Sequence, residues 1–127
     1  MKIMVTGGRH YNKRVVVYAV LDFINRQGIS CLIHGDARGA DTLAGLWAVE
    51  REVPISCHPA DWVKYKRAAG MRRNAEMLAE KPDLLIAFTG GKGTKGCMKM
   101  AKKRNIKIYE VDEIYWEKKT NDVIRVS

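Results

Sequence analysis

The chain has 127 residues with a formal net charge of +9, 46% hydrophobic and 29% charged. That length suits one compact domain and leaves no room for two, and the composition is too apolar for a disordered chain. No run reaches the roughly 20 apolar residues of a bilayer-spanning helix, and the apolar start before Gly7 is too short for a secretory signal, so a cytoplasmic protein with no membrane association is expected.

Residues 2–6 read as a short strand that ends in Gly7-Gly8. Over residues 13–27 the spacing of Val16, Val17, Val20, Leu21 and Ile24 predicts a helix, with Gly28 as its C-terminal cap. Residues 30–34 give a second strand closed by Gly35. Ala40, Leu43, Ala44, Trp47 and Ala48 then recur at helical spacing, with Gly39 or Asp41 at the start. Pro54 stops that helix, and residues 55–58 read as a third strand.

A connector through Asp61-Trp62 leads into a helical stretch over residues 63–69. A further helix over 71–80 carries Met71, Ala75, Leu78 and Ala79 on one side. Residues 84–88 form the most apolar strand, as suits a central strand covered on both faces. Residues 94–104 predict a helix and 106–111 a fifth strand. Beyond Asp112 the pattern is mixed, and residues 112–127 stand as a C-terminal tail without an assigned structure, after a domain over 1–111.

Strands alternating with helices predict an α/β three-layer sandwich, Rossmann-like, around a mainly parallel five-stranded sheet of order 3-2-1-4-5. Such sheets take ligands beyond the carboxyl ends of their strands, where the order reverses. Here that point falls between the first and fourth strands, and the loops after both are glycine-rich: Thr6-Gly7-Gly8-Arg9-His10 and Thr89-Gly90-Gly91-Lys92-Gly93-Thr94. Adjacent glycines let backbone N–H groups approach an anion, and the dipole of a following helix adds to the attraction. The spacing is neither a Walker loop nor the dinucleotide GxGxxG.

Charge placement supports a phosphate-bearing partner. Lys92, Lys95, Lys99, Lys102, Lys103, Arg104 and Lys107 follow one another without an intervening acid. Lys102, Lys103 and Arg104 read as a solvent-facing helix end that complements the dipole. Lys92 and Lys95 remain candidates for the ligand. Arg72, Arg73 and Asn74, at the expected start of a helix, could clamp a phosphate, since cations there oppose the dipole.

Cys31, Cys57 and Cys97 show no CxxC pair and no zinc spacing, so no disulfide and no structural metal is indicated; core packing is the reading for all three. His10, His34 and His58 each end a strand on one edge, near Asp36 and Asp61, but without ligand spacing. No metal and no cofactor are expected, and no Ser-His-Asp order or nucleophile elbow is present.

The set Thr6-Gly7-Gly8-Arg9, His34-Gly35-x-Ala37-Arg38-Gly39-Ala40-Asp41, Pro59-Ala60-Asp61-Trp62, Arg73-Asn74 and Gly90-Gly91-x-Gly93-Thr94 resembles the YspA/YpsA-related branch of the SLOG superfamily. That superfamily is Rossmann-like and includes DprA and the LOG phosphoribohydrolases, and the likeness runs in order over residues 2–111. Small stand-alone members of the branch are often carried by phages and prophages. The resemblance implies a nucleotide or nucleotide-derived ligand, such as a mononucleotide or an ADP-ribose-like or NAD-derived molecule. It implies a pocket lined by Gly7, Gly8, Arg9, Arg38, Gly39, Asp41, Arg73, Asn74, Gly90, Gly91, Gly93 and Thr94; His34, Gly35 and Thr89, within the same motifs, join the candidate ligand-binding set.

The resemblance breaks at one place. LOG enzymes continue the second glycine loop into a catalytic glutamate, whereas Lys95, Gly96 and Cys97 stand here, and Thr89 replaces a proline. Glycosidic cleavage needs a carboxylate near the ribose. A binding protein that senses or sequesters a nucleotide is therefore the first reading, with no catalytic residue assigned. The second is a hydrolase in which Asp36, Asp41 or Glu76 replaces the glutamate, and the third a DprA-like, weak nucleic-acid binder using the basic surface. A homodimer is compatible with each.

Overall fold

A computed structural model describes the backbone of residues 1–126 and the side chains of residues 1–121; Ser127, the last residue of the expected tail, lies outside the described residues. The strands are β1 (Lys2–Thr6), β2 (Cys31–His34), β3 (Ile55–Cys57), β4 (Leu84–Ala87) and β5 (Ile108–Glu110). All pairings are parallel, in the order β3-β2-β1-β4-β5. The expected fold and strand order hold. In the centre Ile3 aligns with Leu84 on one side and Leu32 on the other.

Side chains alternate across this sheet into two cores, which is why the central strands are apolar throughout. Ile3, Val5, Leu32 and Ile86 join one core with α1 (Arg14–Asn25) and α2 (Ala40–Glu50). Met4, Ile33 and Leu85 join the other with α4 (Ala69–Ala79) and α5 (Lys92–Lys103). Trp47, fully buried in α2, donates its indole N–H to Asp22 Oδ1 at 2.8 Å, and Arg51 holds the same carboxylate at 2.9 Å.

Three local expectations need correction. Asp61 and Trp62 are not connector: Asp61 caps α3 (Trp62–Tyr65) by accepting from the Lys64 N–H at 3.0 Å. A short 3-10 turn (Lys66–Ala68) then runs directly into α4, so that helix starts earlier than expected. It buries Asn74, Met77 and Leu78, whereas Met71 is 66% exposed. The earlier start puts Arg72 and Arg73 in the second turn, where the helix dipole no longer opposes them.

The tail is not irregular. Glu113–Val126 forms a helix, α6, and Trp116 on it is 6% exposed, meets Phe23 of α1 edge-on at 5.7 Å and donates to the Tyr109 hydroxyl at 2.7 Å. Among the cysteines, Cys97 is buried as expected and Cys31 half-buried, but Cys57 on the edge strand β3 is exposed and packs in no core. Among the described residues, no helix is long and apolar enough to cross a membrane.

Candidate ligand-binding cleft

At the point where strand order reverses, the loops leaving β1, β2 and β4 are locked together by main chain. The Gly8 N–H donates to the Thr89 carbonyl at 2.9 Å, and the Gly8 carbonyl accepts from Tyr11 at 3.1 Å and Ala40 at 3.3 Å. Gly39, at φ +80°, turns the chain into α2 so close to Gly8 that a Cβ there would strike the Gly8 carbonyl. A Cβ on Gly90 would meet the Thr94 hydroxyl and lie 2.7 Å from the Gly8 nitrogen. Both positions therefore demand glycine for backbone approach.

Gly91 is the N-cap of α5 and supplies no side-chain cap. The first intrahelical bond runs from the Lys95 N–H to the Gly91 carbonyl at 3.1 Å, which leaves the N–H groups of Lys92, Gly93 and Thr94 without helical acceptors. The first turn holds no acid and carries Lys92 instead. Positive charge at a helix N-terminus is unfavourable by a few tenths of a kcal/mol, so neither a cap nor an acid stabilises this helix start.

These loops form the floor of an open cleft of about 1460 Å³. The β1 loop contributes Gly7, Gly8 and Arg9, the β2 loop Gly35 and Arg38 with Asp41 behind them, and the β4 loop Thr89, Gly90, Gly91, Gly93 and Thr94. Arg73 and Asn74 reach the same cleft from α4. His34 and Gly39 do not line it; they sit behind the loops and shape them. His34 is 5% exposed and its Nδ1 accepts from the Asp36 N–H at 3.0 Å, which puts the ring proton on Nε2. Burial holds its pKa below the ordinary imidazole value, so the ring stays neutral.

Asp41 and Arg73 secure the β2 loop. Asp41 Oδ2 accepts from the N–H groups of Gly35 at 3.1 Å and Ala37 at 3.3 Å. Those bonds and the nearby Arg73 favour the ionised carboxylate, but burial outweighs them and raises its pKa from 3.8 to about 6. Arg72 does not share the cleft: its guanidinium lies 4.0 Å from the Tyr65 ring centroid.

Sequence reading missed several residues of the cleft wall. Tyr11 packs against Phe88 with ring centroids 5.3 Å apart and planes tilted by 44°, and its buried hydroxyl has no protein partner among the described residues; burial and then Glu113 push its pKa up. Glu113 itself lines the cleft from α6, paired with Lys13 at 3.3 Å. Trp62, Arg67 and Met71 line the end formed by α3 and α4. For Trp62 the sequence holds a signal, an aromatic next to a capping Asp, but the same residues also fit a connector. The acids on the cleft are Asp36, Asp41 and Glu113; Glu76 is not among them and lies 3.9 Å from His58 Nδ1.

His58 turns away as well and pairs with Glu80, which also accepts from Ser56 at 2.7 Å. One His/Cys/Asp group among the described residues has donor atoms within 4.8 Å of one another, namely His34, Asp36 and Cys57. Since His34 Nδ1 already accepts a backbone N–H, a metal there would have to displace that bond.

A parallel sheet with helices on both faces and a glycine-floored cleft at its switch point defines a Rossmann-like α/β protein. The chain belongs to the YspA, cpYpsA-related SLOG family, whose model matches residues 1–65, the stretch from β1 through α3. That membership connects it, at a coarse level, to nucleotide-related ligands. It is also similar to the Gene 61 protein of Mycobacterium phage D29, 35% identical over 116 residues that cover 84% of this chain and 93% of that protein. No solved structure matches.

Proposed function

We propose that this protein binds a nucleotide or nucleotide-derived molecule, as a sensor or sequestering protein, with a phosphate held at the start of α5. The uncapped, acid-free turn at Gly91–Thr94, set on the cleft floor at the switch point, carries this reading. Its unpaired N–H groups match phosphate oxygens, and Arg9, Arg38 and Lys92 around the same cleft supply mobile positive charge. At about 1460 Å³ the cleft exceeds the roughly 300–1,000 Å³ of common small-ligand pockets. A mononucleotide fits with room to spare, and so does an ADP-ribose-like or NAD-derived molecule. Three free thiols suit the reducing cytoplasm in which such ligands are found.

Binding without turnover is favoured over hydrolysis. Where LOG enzymes carry their acid, Cys97 is fully buried and its thiol is pushed up to about 11 by burial, so it offers no negative charge to a ribose. The test is calorimetric titration of AMP and ADP-ribose into the wild type and Gly91→Val. A Cβ at Gly91 meets nothing within 4 Å, so the variant folds while its side chain stands before the helix start. Loss of binding in a variant with an unchanged melting temperature supports the phosphate position; equal affinity refutes it.

A further inference from the structure

Of the large apolar side chains exposed among the described residues, Trp62 at 54% and Met71 at 66% are the two that line the cleft. The rest of its wall is mostly glycine, cation, carboxylate and small polar groups, with the small apolar Ala37, Pro59 and Ala60, a buried Met77 and half-buried Tyr11 and Met100. An indole half in water costs hydrophobic free energy that the fold could recover by turning it inward. Instead local structure holds it out: Asp61 caps α3 in front of it, and Lys66, at φ +49°, turns the chain sharply behind it. The outer edge of the ring has Gly70 below it, its Cη2 3.6 Å from where a Cβ on that glycine would sit. Arg67 and Arg73 line the same end.

We infer that Trp62 is the base-stacking platform of the cleft, so that the ligand is a nucleotide whose aromatic base lies on the indole while its phosphate reaches the glycine floor. This rests on the nucleotide reading of the cleft and adds to it the recognition of the base. The chemistry is general: every nucleobase presents a π-face, and an indole takes any of them with little regard to hydrogen-bonding pattern. A planar arginine beside it adds a second surface against which a base can lie. Recognition by stacking selects for the presence of a base more than for its identity, so adenine and guanine ligands bind within a few-fold of each other. Met71, unbranched and polarizable, adapts to the ring that arrives.

AMP and ribose 5-phosphate share sugar and phosphate and differ by the base, so the pair isolates the inference. Calorimetry on the full chain should show AMP binding at least tenfold more tightly than ribose 5-phosphate. Trp62→Ala should weaken AMP by about tenfold and leave ribose 5-phosphate unchanged, and Trp62→Phe should retain most of the AMP affinity. Tryptophan emission gives an independent reading, because Trp47 and Trp116 are buried and quenching by AMP reports on Trp62. Melting curves establish that each variant is folded. Equal affinities for the two ligands, or an AMP affinity indifferent to Trp62→Ala, would overturn the platform and leave the phosphate site standing. Binding of neither ligand by the wild type would overturn both.

Discussion

Arg73 Nη1 donates to the Gly35 carbonyl at 2.6 Å, tying α4 to the loop after β2. Its Nε donates to Asn74 Oδ1 at 2.9 Å, so two sides of the guanidinium are already committed within the protein. Gly35 is held from both ends, its carbonyl by Arg73 and its N–H by Asp41. A residue that resembled a phosphate clamp in sequence is thus also a strut.

Removal of that strut should therefore be felt in stability as well as in binding. Hydrogen bonds to charged groups contribute about 1.5–3 kcal/mol, so Arg73→Ala should lower unfolding free energy by roughly 2 kcal/mol in urea titrations. Arg73→Lys should recover less than half, since an ammonium cannot span both acceptors with a planar fork. A variant as stable as the wild type would show that the contact is incidental.

Asp41 makes the fold less stable as pH rises from mild acid to neutral. Burial raises its pKa from 3.8 to about 6, so the folded state binds the proton more tightly than the unfolded chain does. The stability gained by protonation is complete below pH 3.8 and is lost as pH rises through about 6. At 1.36 kcal/mol per unit, the change across that window is roughly 3 kcal/mol. Denaturant titrations between pH 4 and 7 should show this decline in the wild type and a flatter profile in Asp41→Asn, whose amide oxygen keeps an acceptor but does not titrate.

Neighbouring glycines of the β4 loop should behave differently. A methyl group at Gly90 lies 2.7 Å from the Gly8 nitrogen and overlaps the Thr94 hydroxyl, so Gly90→Ala forces main chain apart and should cost about 2 kcal/mol. Gly91→Ala points into open space and should stay within about 0.5 kcal/mol of wild type. Thermal melts of the two variants side by side decide this, and equal melting temperatures would refute the interlocked floor.

The C-terminal helix should prove integral to the domain. Trp116 packs edge-on to Phe23 and donates to Tyr109, so it joins α6 to both α1 and β5. Trp116→Ala should destabilise by about 3–5 kcal/mol, as truncation of a buried aromatic does. Trp116→Phe should keep the packing and lose only the hydrogen bond, about 1 kcal/mol.

Salt dependence separates a small ligand from a polymer. Lys99, Lys102, Lys103, Arg104 and Lys107 give the chain much of its positive charge, and any DNA binding through them should fall steeply as salt rises. Nucleotide binding at one or two phosphates should show a much shallower slope. Fluorescence anisotropy with labelled oligonucleotides from 50 to 200 mM salt checks the contrast; tight DNA binding at the upper end would favour a nucleic-acid role.

Strand order followed from sequence because four of the five strands are short runs closed within three residues by glycine or proline, and parallel connection rules leave few topologies. The motifs of the candidate site could be located for the same reason: they sit at strand ends, and the fold draws those ends together. What sequence did not reveal depends on distant partners. α6 shows no clean apolar stripe in sequence, and the buried anchor among its described residues is one indole that meets Phe23 and Tyr109. The inner face of α4 differs from the expected one because Met71 looks apolar in any window, whereas the buried stripe includes a polar Asn74 that receives Arg73. Glu113 reaches the cleft from beyond the expected domain, a proximity that only the packing of α6 on α1 creates.

The junction of the β1 and β4 loops with α2 is held by carbonyls and N–H groups of Gly8, Thr89 and Ala40, and the side chains that brace the floor beside it are the inner Asp41 and Arg73. Arg9, Arg38, Trp62 and Lys92 stand on the rim, and none of them holds the floor together. Exchange of a rim residue can therefore change what the cleft prefers without loosening the frame beneath. Under the proposed phosphate-binding reading, one backbone socket serves different ligands in turn, each selected by a few replaceable side chains at the edge.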